Sequence, residues 1–451
     1  SHVNNIQATQ LADAQNGCDE TGTGNNEATC QNFDSTSNDN DGLTQSNEVT
    51  SADSAAQTNN ATIFQALDLQ NDCDESEDGI NIPDVCEISA VDNELDLITQ
   101  TNTATGSALA DISQNNQIAG SDGLAFGIIQ TIEHSNDCDE TGPGDNFAEC
   151  DISSVENDDI NSITQDNEVT AADDATSISQ DNGVAMLQAI VAENDCDESS
   201  TTTGDNQAIC QMETVLENEL SSTSQTNEAE AQDFSVIDQG NNVALSQDLF
   251  VENDCDGTDG NSVACTSNGD NIIHFSANEV ETITQDNEAH LSTDAISTQL
   301  NELVDAQNAA IENDCDETGD GINDAICDND NIVNFVGPVS QTSSSTAGAE
   351  ALSATVAQSN DALVVQDLQA LNNCDEAGAG DNLASCQNVA TNTIQVITQT
   401  NNAPVVADDF DQNNLVAISQ DLQARNDCDE LDDGDNGDVG VTQLCFNRVN
   451  N

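Results

Sequence analysis

Along most of this chain, apolar and amide side chains occupy every second position. Ile163-Thr164-Gln165-Asp166-Asn167-Glu168-Val169 is the clearest instance, with Ile, Gln, Asn and Val on one side and Thr, Asp and Glu on the other. A period of two is the period of a β-strand. The segment recurs at Leu43 to Val49, Ile98 to Ala104, Thr223 to Ala229, Ile283 to Ala289 and Ile397 to Ala403. A second version follows each time, as at Ile112 to Ile118, Ile178 to Val184 and Ile237 to Val243. A further Gln comes next, at Gln188, Gln247, Gln307, Gln366 and Gln420. Asn146-x-Ala148-x-Cys150 keeps the same alternation. The pattern predicts three strand segments per repeat, with Asp/Asn/Gly clusters as turns. The density of Asn, Asp, Ser, Thr and Gly disfavours helix. Gln and Asn on the apolar side make sense in a stacked array, where each amide bonds the identical amide above and below.

The cysteines set the repeat. First cysteines stand at Cys18, Cys73, Cys138, Cys196, Cys255, Cys315, Cys374 and Cys428, and second ones at Cys30, Cys86, Cys150, Cys210, Cys265, Cys327, Cys386 and Cys445. Subtracting successive first cysteines gives steps of 55, 65, 58, 59, 60, 59 and 54 residues. That period signals a tandem-repeat architecture. The expectation is an all-β, tandem-repeat β-solenoid; the alternative is a string of small disulfide-stapled β-sandwich units. Residues 1–451 read as one array of about eight units: 1–17 a partial N-terminal repeat, 18–427 seven cysteine-loop repeats, and 428–451 a partial C-terminal repeat. Ser340 to Gly348 reads as a low-complexity break with a bulged or longer turn. Each first cysteine is expected to bond the next one in sequence across a short acidic turn.

Composition narrows the picture. The chain carries 87 acidic residues against two arginines, a net charge of -85, and no lysine. Such a charge argues against nucleic acid and against an anionic membrane surface. It also demands high salt or divalent cations for compactness. Aromatics are only 2%, so the core must be thin and aliphatic rather than bulky. Disorder competes as a reading of low hydropathy with high charge, but a disordered chain needs no such regular repeats. Sixteen paired cysteines point to disulfides and an oxidising compartment. Zinc is disfavoured, because the two cysteines of a pair lie ten or more residues apart. No long apolar run predicts membrane insertion. Ser1 is not Met, which is expected of a processed, secreted chain.

The acidic cysteine loop is the candidate site. Six of eight loops share Asp-x-x-x-x-Gly-x-Asn after the first cysteine. Alternate oxygen side chains converge when a chain turns sharply at Gly, and hard oxygen ligands suit Ca²⁺. The candidate ligands are Asp19 and Asn26; Asp72, Asp74, Asp78 and Asn81; Asp137, Asp139, Asp145 and Asn146; Asp195, Asp197 and Asp205; and Asp254, Asp256 and Asp259. The later loops add Asp314, Asp316, Asp320 and Asn323; Asp375, Asp381 and Asn382; and Asp427, Asp429, Asp433 and Asn436. The competing reading is a solvated acidic turn held by a disulfide. No nucleophile and base stand in a catalytic arrangement, so no enzyme is expected. His134 and His274 read as surface or turn residues.

The Ile-Ser-Gln-x-Asn and Ile-Thr-Gln-x-Asn motifs resemble the Gln/Asn repeats of curlin-type surface fibre proteins. Asp74-x-Ser76-x-Asp78-Gly79 and Asp316-x-Thr318-x-Asp320-Gly321 resemble the Asp-x-Asp-x-Asp-Gly calcium loops of extracellular repeat families. The resemblance implies a β-solenoid that assembles into an extracellular fibre supporting adhesion or biofilm. The expected function is therefore a secreted structural protein, the subunit of a calcium-stabilised filament whose partner is itself, head to tail, with other surface or matrix components. The incomplete repeats at either end are expected to complement one another between chains. The alternative is a monomeric calcium-binding adhesin or surface-layer component.

Overall fold

The computed structural model describes residues 1–451 apart from 19, 22–28, 33–35, 41, 51–53, 74, 77–83, 107–110, 120–125, 142–146, 172–176, 197, 200–206, 231–235, 259–261, 267–275, 292–294, 319–321, 348–353, 379–380, 404–408, 428–429, 433–443 and 451. Among the described residues there is no helix, and every paired strand runs parallel to its neighbours in one of three sheets. The chain is a β-solenoid. Each turn of it, or rung, has a long front strand, a short corner strand after the first cysteine, and a long back strand.

The front sheet stacks His2–Gly17, Ser54–Asp72, Ile128–Asp137, Ser177–Asp195, Val236–Asp254, Ile296–Asp314, Thr355–Asn373 and Asp409–Asp427 in chain order. Asp111–Ile118 completes the third rung ahead of Ile128. The corner sheet stacks pairs such as Glu75–Ser76, Glu140–Thr141 and Glu198–Ser199. The back sheet runs through Asp84–Gly106, Phe147–Ala171 and Gln207–Glu230. It continues through Ser276–Leu291, Ile322–Val336 and Val339–Ala347.

Register follows the sequence repeat. Gln180 lies beside Gln114 on one side and Gln239 on the other. Cys150 lies between Cys86 and Cys210. A one-residue slip would turn every buried column outward, so the period-two pattern pins the stack. Burial alternates strictly along Ser54–Asp72. The core is the thin space between front and back sheets, filled by columns such as Ile63, Ile128, Met186 and Leu245. Buried Gln and Asn columns separate three aliphatic clusters, and a cysteine cluster fills the corner.

Three expectations change. The segments read as three separate strands fuse into two long arms: Ser177–Asp195 joins the second amide motif to the Asn-Asp before the cysteine, and Phe147–Ala171 joins Cys150 to the first motif. The string of sandwich units does not form, because all three sheets pass from repeat to repeat. Ser340 to Ala347 is not a turn but part of the strand Val339–Ala347. Ser343 and Ser345 are buried there, in columns held elsewhere by Asn287 and Ala289. A short hydroxyl fits such a column and still reaches a neighbouring amide, as Ser343 Oγ does to Asn360 Oδ1 at 3.1 Å. Two glycines allow close approaches. A Cβ at Gly127 would collide with the backbone of Ile118 and Ala119, and one at Gly337 with the carbonyl of Glu281.

Candidate functional site at the amide ladders and the cysteine corner

The amide columns are the most ordered chemistry in the molecule. In one front column each Gln Nε2 donates to the Gln Oε1 of the preceding rung: Gln65 to Gln10 at 3.0 Å, Gln130 to Gln65 at 2.9 Å, Gln188 to Gln130 at 2.9 Å. The same sense continues through Gln247, Gln307, Gln366 and Gln420. The Asn column has the opposite sense. Asn59 Nδ2 donates forward to Asn116 at 2.9 Å, Asn116 to Asn182 at 3.1 Å and Asn182 to Asn241 at 3.1 Å. Backbone carbonyls fix both directions, because a carbonyl only accepts: Gln130 Nε2 reaches the Asn93 oxygen at 2.8 Å and Asn182 Nδ2 the Thr226 oxygen at 3.0 Å. Front and back columns also interlock, as Asn167 Nδ2 donates to Asn182 Oδ1 at 2.9 Å.

The corner carries the predicted site. Cys73 with Cys86, Cys138 with Cys150 and Cys374 with Cys386 lie at disulfide distance, with Cα separations of 6.4, 6.3 and 6.5 Å. Cys18, Cys255 and Cys315 are also disulfide-bonded. Cys30, Cys210, Cys265, Cys327 and Cys445 share one back-sheet column with Cys86, Cys150 and Cys386. Cys428 lies outside the described residues. Three pairs at disulfide distance fit an oxidising or secreted environment. No helix among the described residues is long and apolar enough to cross a membrane.

The predicted oxygen ligands form ladders. Asp72, Asp137, Asp195, Asp254, Asp314 and Asp427 occupy one column, interrupted only by Asn373. Asn373 turns repulsion into a bond, donating to Asp314 Oδ1 at 3.0 Å. Asp139, Asp256, Asp316 and Asp375 follow the cysteines, and Asp316 Oδ1 accepts from the Asp375 amide at 3.3 Å. Burial, then the carboxylates of Asp314 and Asp256, push the Asp316 carboxyl up to about 7. Asn323, Asp381 and Asn382 lie in back-sheet strands, Asn323 beside Asn382. Asp19, Asn26, Asp74, Asp78, Asn81, Asp145, Asn146, Asp197, Asp205, Asp259, Asp320, Asp429, Asp433 and Asn436 lie outside the described residues. Among the described residues no three carboxylates bring their oxygens within 4.8 Å of one another; the one close group of ligand type is Cys138, Cys150 and Cys196.

Two core residues break the columns. His134 is fully buried, not a surface or turn residue; its position two before Asn136 puts it on the inward face, between Leu69 and Ala192. Neither ring nitrogen has a hydrogen-bond partner, and burial lowers its pKa to about 3. Asp305 is fully buried between Leu245 and Val364, with both carboxyl oxygens unpartnered, and burial raises it to about 7. Counting two back from Gln307 along the strand would have found it. His274 lies outside the described residues.

Compared with known protein families, curated proteins and solved structures, the chain shows no match.

Proposed function

We propose that this protein is a secreted structural subunit that stacks on copies of itself along the solenoid axis to build an extracellular filament. The observation that carries the reading is the self-complementary, directional face of each rung. Gln188 Nε2 donates back to Gln130 while Gln188 Oε1 accepts from Gln247, and Asn182 Nδ2 donates forward to Asn241 while Asn182 Oδ1 accepts from Asn116. One face of a rung is thus complementary to the opposite face of an identical rung. A front strand of 19 residues spans roughly 63 Å, and two sheets with their outer side chains are about 20 Å thick. The face is therefore on the order of 1,200 Å², above the roughly 800 Å² per partner of a stable interface. A head-to-tail contact of this kind does not close and so propagates. The inner acidic columns call for counterions.

Electron microscopy and fibre diffraction of the purified chain test this. The expected result is filaments with a meridional spacing of about 4.8 Å and a subunit repeat near 38 Å, eight rungs at that rise. Discrete particles at every protein and salt concentration, with or without added Ca²⁺, would favour the monomeric adhesin or surface-layer component.

A further inference from the structure

The corner cysteines form a continuous sulfur stack. Cys73, Cys86, Cys138, Cys150, Cys196, Cys255, Cys315, Cys374 and Cys386 are fully buried and pack on one another, and Cys18 joins them on the first rung, where it is only partly buried. The sulfurs of Cys138 and Cys150, a bonded pair, and of Cys196 on the next rung all lie within 4.8 Å of one another. The third sulfur lies 3.9 Å from the Ile209 carbonyl oxygen and within 4.8 Å of both sulfurs of the neighbouring disulfide. Backbone geometry does not favour bonds within a rung over bonds along the stack. Within a rung the Cα atoms are 6.3 Å apart. Along the stack, parallel strands in register bring equivalent Cα atoms to about 4.8 Å. Both separations fall inside the range a disulfide spans, about 4.4–6.8 Å.

We infer that the stack is a thiol–disulfide exchange track, along which an odd thiol arising at a fully buried rung migrates to the partly buried rung of Cys18. Each step is balanced. A thiolate at Cys196 attacks Cys138 Sγ, the Cys196–Cys138 bond forms, the Cys138–Cys150 bond breaks, and Cys150 leaves as the new thiolate. No oxidant is consumed, because one disulfide and one thiol stand on each side. On the preceding rung Cys86 lies beside Cys150 in backbone register and belongs to the same sulfur cluster, so the same step carries the thiol to the Cys73–Cys86 pair and on to the rung of Cys18. Burial slows each step by disfavouring thiolate, and proximity along a fixed column offsets this. A lost staple would therefore not remain as a buried thiol. It would emerge at the rung of Cys18, where the column is only partly buried. The inference itself concerns one chain and does not depend on polymerisation.

The test is Cys210→Ser, which leaves Cys196 without its expected loop partner. After incubation at pH 8, one sample is alkylated natively with a bulky maleimide and another after denaturation, and both are mapped by mass spectrometry. The native label should fall on the rung of Cys18, and denatured labelling should find the thiol on several rungs. Label confined to Cys196 in the denatured sample, with none in the native one, would overturn the inference. Cys386→Ser, which frees Cys374, provides a second start point should the first variant misfold. Adding Cys138→Ser and Cys150→Ser to Cys210→Ser removes the intervening pair, and should hold the thiol off the rung of Cys18. Equal labelling of that rung with the pair removed would also overturn it.

Discussion

The column of Asn182 and the column of Asp305 lie in the same front sheet, yet they treat stacking in opposite ways. Asn182 takes part in five amide hydrogen bonds, with Asn116, Asn167, Thr226, Asn227 and Asn241, all between 2.9 and 3.1 Å. Asp305 sits among aliphatic neighbours and makes none. An amide is both donor and acceptor, so it is complementary to a copy of itself at the spacing of a parallel sheet. A carboxylate only accepts, and a like carboxylate or an aliphatic side chain on the next rung gives it nothing. Repetition thus stabilises the amide columns and strains every column in which a charge recurs or intrudes. The acidic corner is the outer case, where solvent eases the strain, and Asp305 and His134 are the inner cases, where it does not.

The largest expected effect comes from breaking an amide column at its middle. Asn182→Leu keeps the volume but leaves five partners short of a bond, and buried networks lose more than one pair's worth. A loss on the order of 5 kcal/mol is expected in chemical denaturation. Hydrogen exchange should rise on the rungs of Asn116 and Asn241 rather than across the whole chain. A loss below about 1 kcal/mol would show that the amide ladder contributes little beyond filling space.

Asp305 and His134 sharpen the comparison through pH. Asp305 keeps its proton up to about 7 in the native state, against an ordinary 3.8, so stability falls as pH rises between those values. The gap corresponds to about 4 kcal/mol, fully expressed above pH 7. His134 has the opposite sign. Its native pKa is about 3 against 6.5 unfolded, so stability falls as pH drops through that window. The two slopes nearly cancel between about pH 4 and 6.5. Asp305→Leu should raise stability most at pH 8 and unmask the acid-side loss from His134. His134→Leu should do the reverse, gaining about 2 kcal/mol at pH 5. Parallel pH profiles for the two variants and the parent chain would mean that neither group titrates as its burial dictates.

The smallest effect belongs to the solvated corner. Asp316→Asn relieves repulsion from Asp314 and Asp256, but this partly exposed site is screened, so a gain below about 1 kcal/mol is expected at pH 8 and low salt. That gain should vanish in about 1 M NaCl, where charges more than a few ångströms apart no longer interact. A gain that persists in salt but disappears with millimolar Ca²⁺ would point instead to an ion held by the loop.

The period of two, the repeat of about sixty residues and the pairing of cysteines determined the class of fold from the sequence alone. They also set the inward faces: Ile163, Gln165, Asn167 and Val169 are all buried as the alternation demands. These features are local and recur in every unit, so each repeat reports the same answer. Only the tertiary stack decided what a buried position costs. Nothing next to Ser343 in sequence says that its neighbour across the rung is Asn287, and nothing next to Asp305 says that Leu245 and Val364 lie on either side. Those contacts come from register between strands some sixty residues apart. The same holds at the corner. Sequence proximity pairs Cys138 with Cys150, but only stacking at about 4.8 Å places Cys196 against both, because parallel register brings equivalent atoms one rung apart.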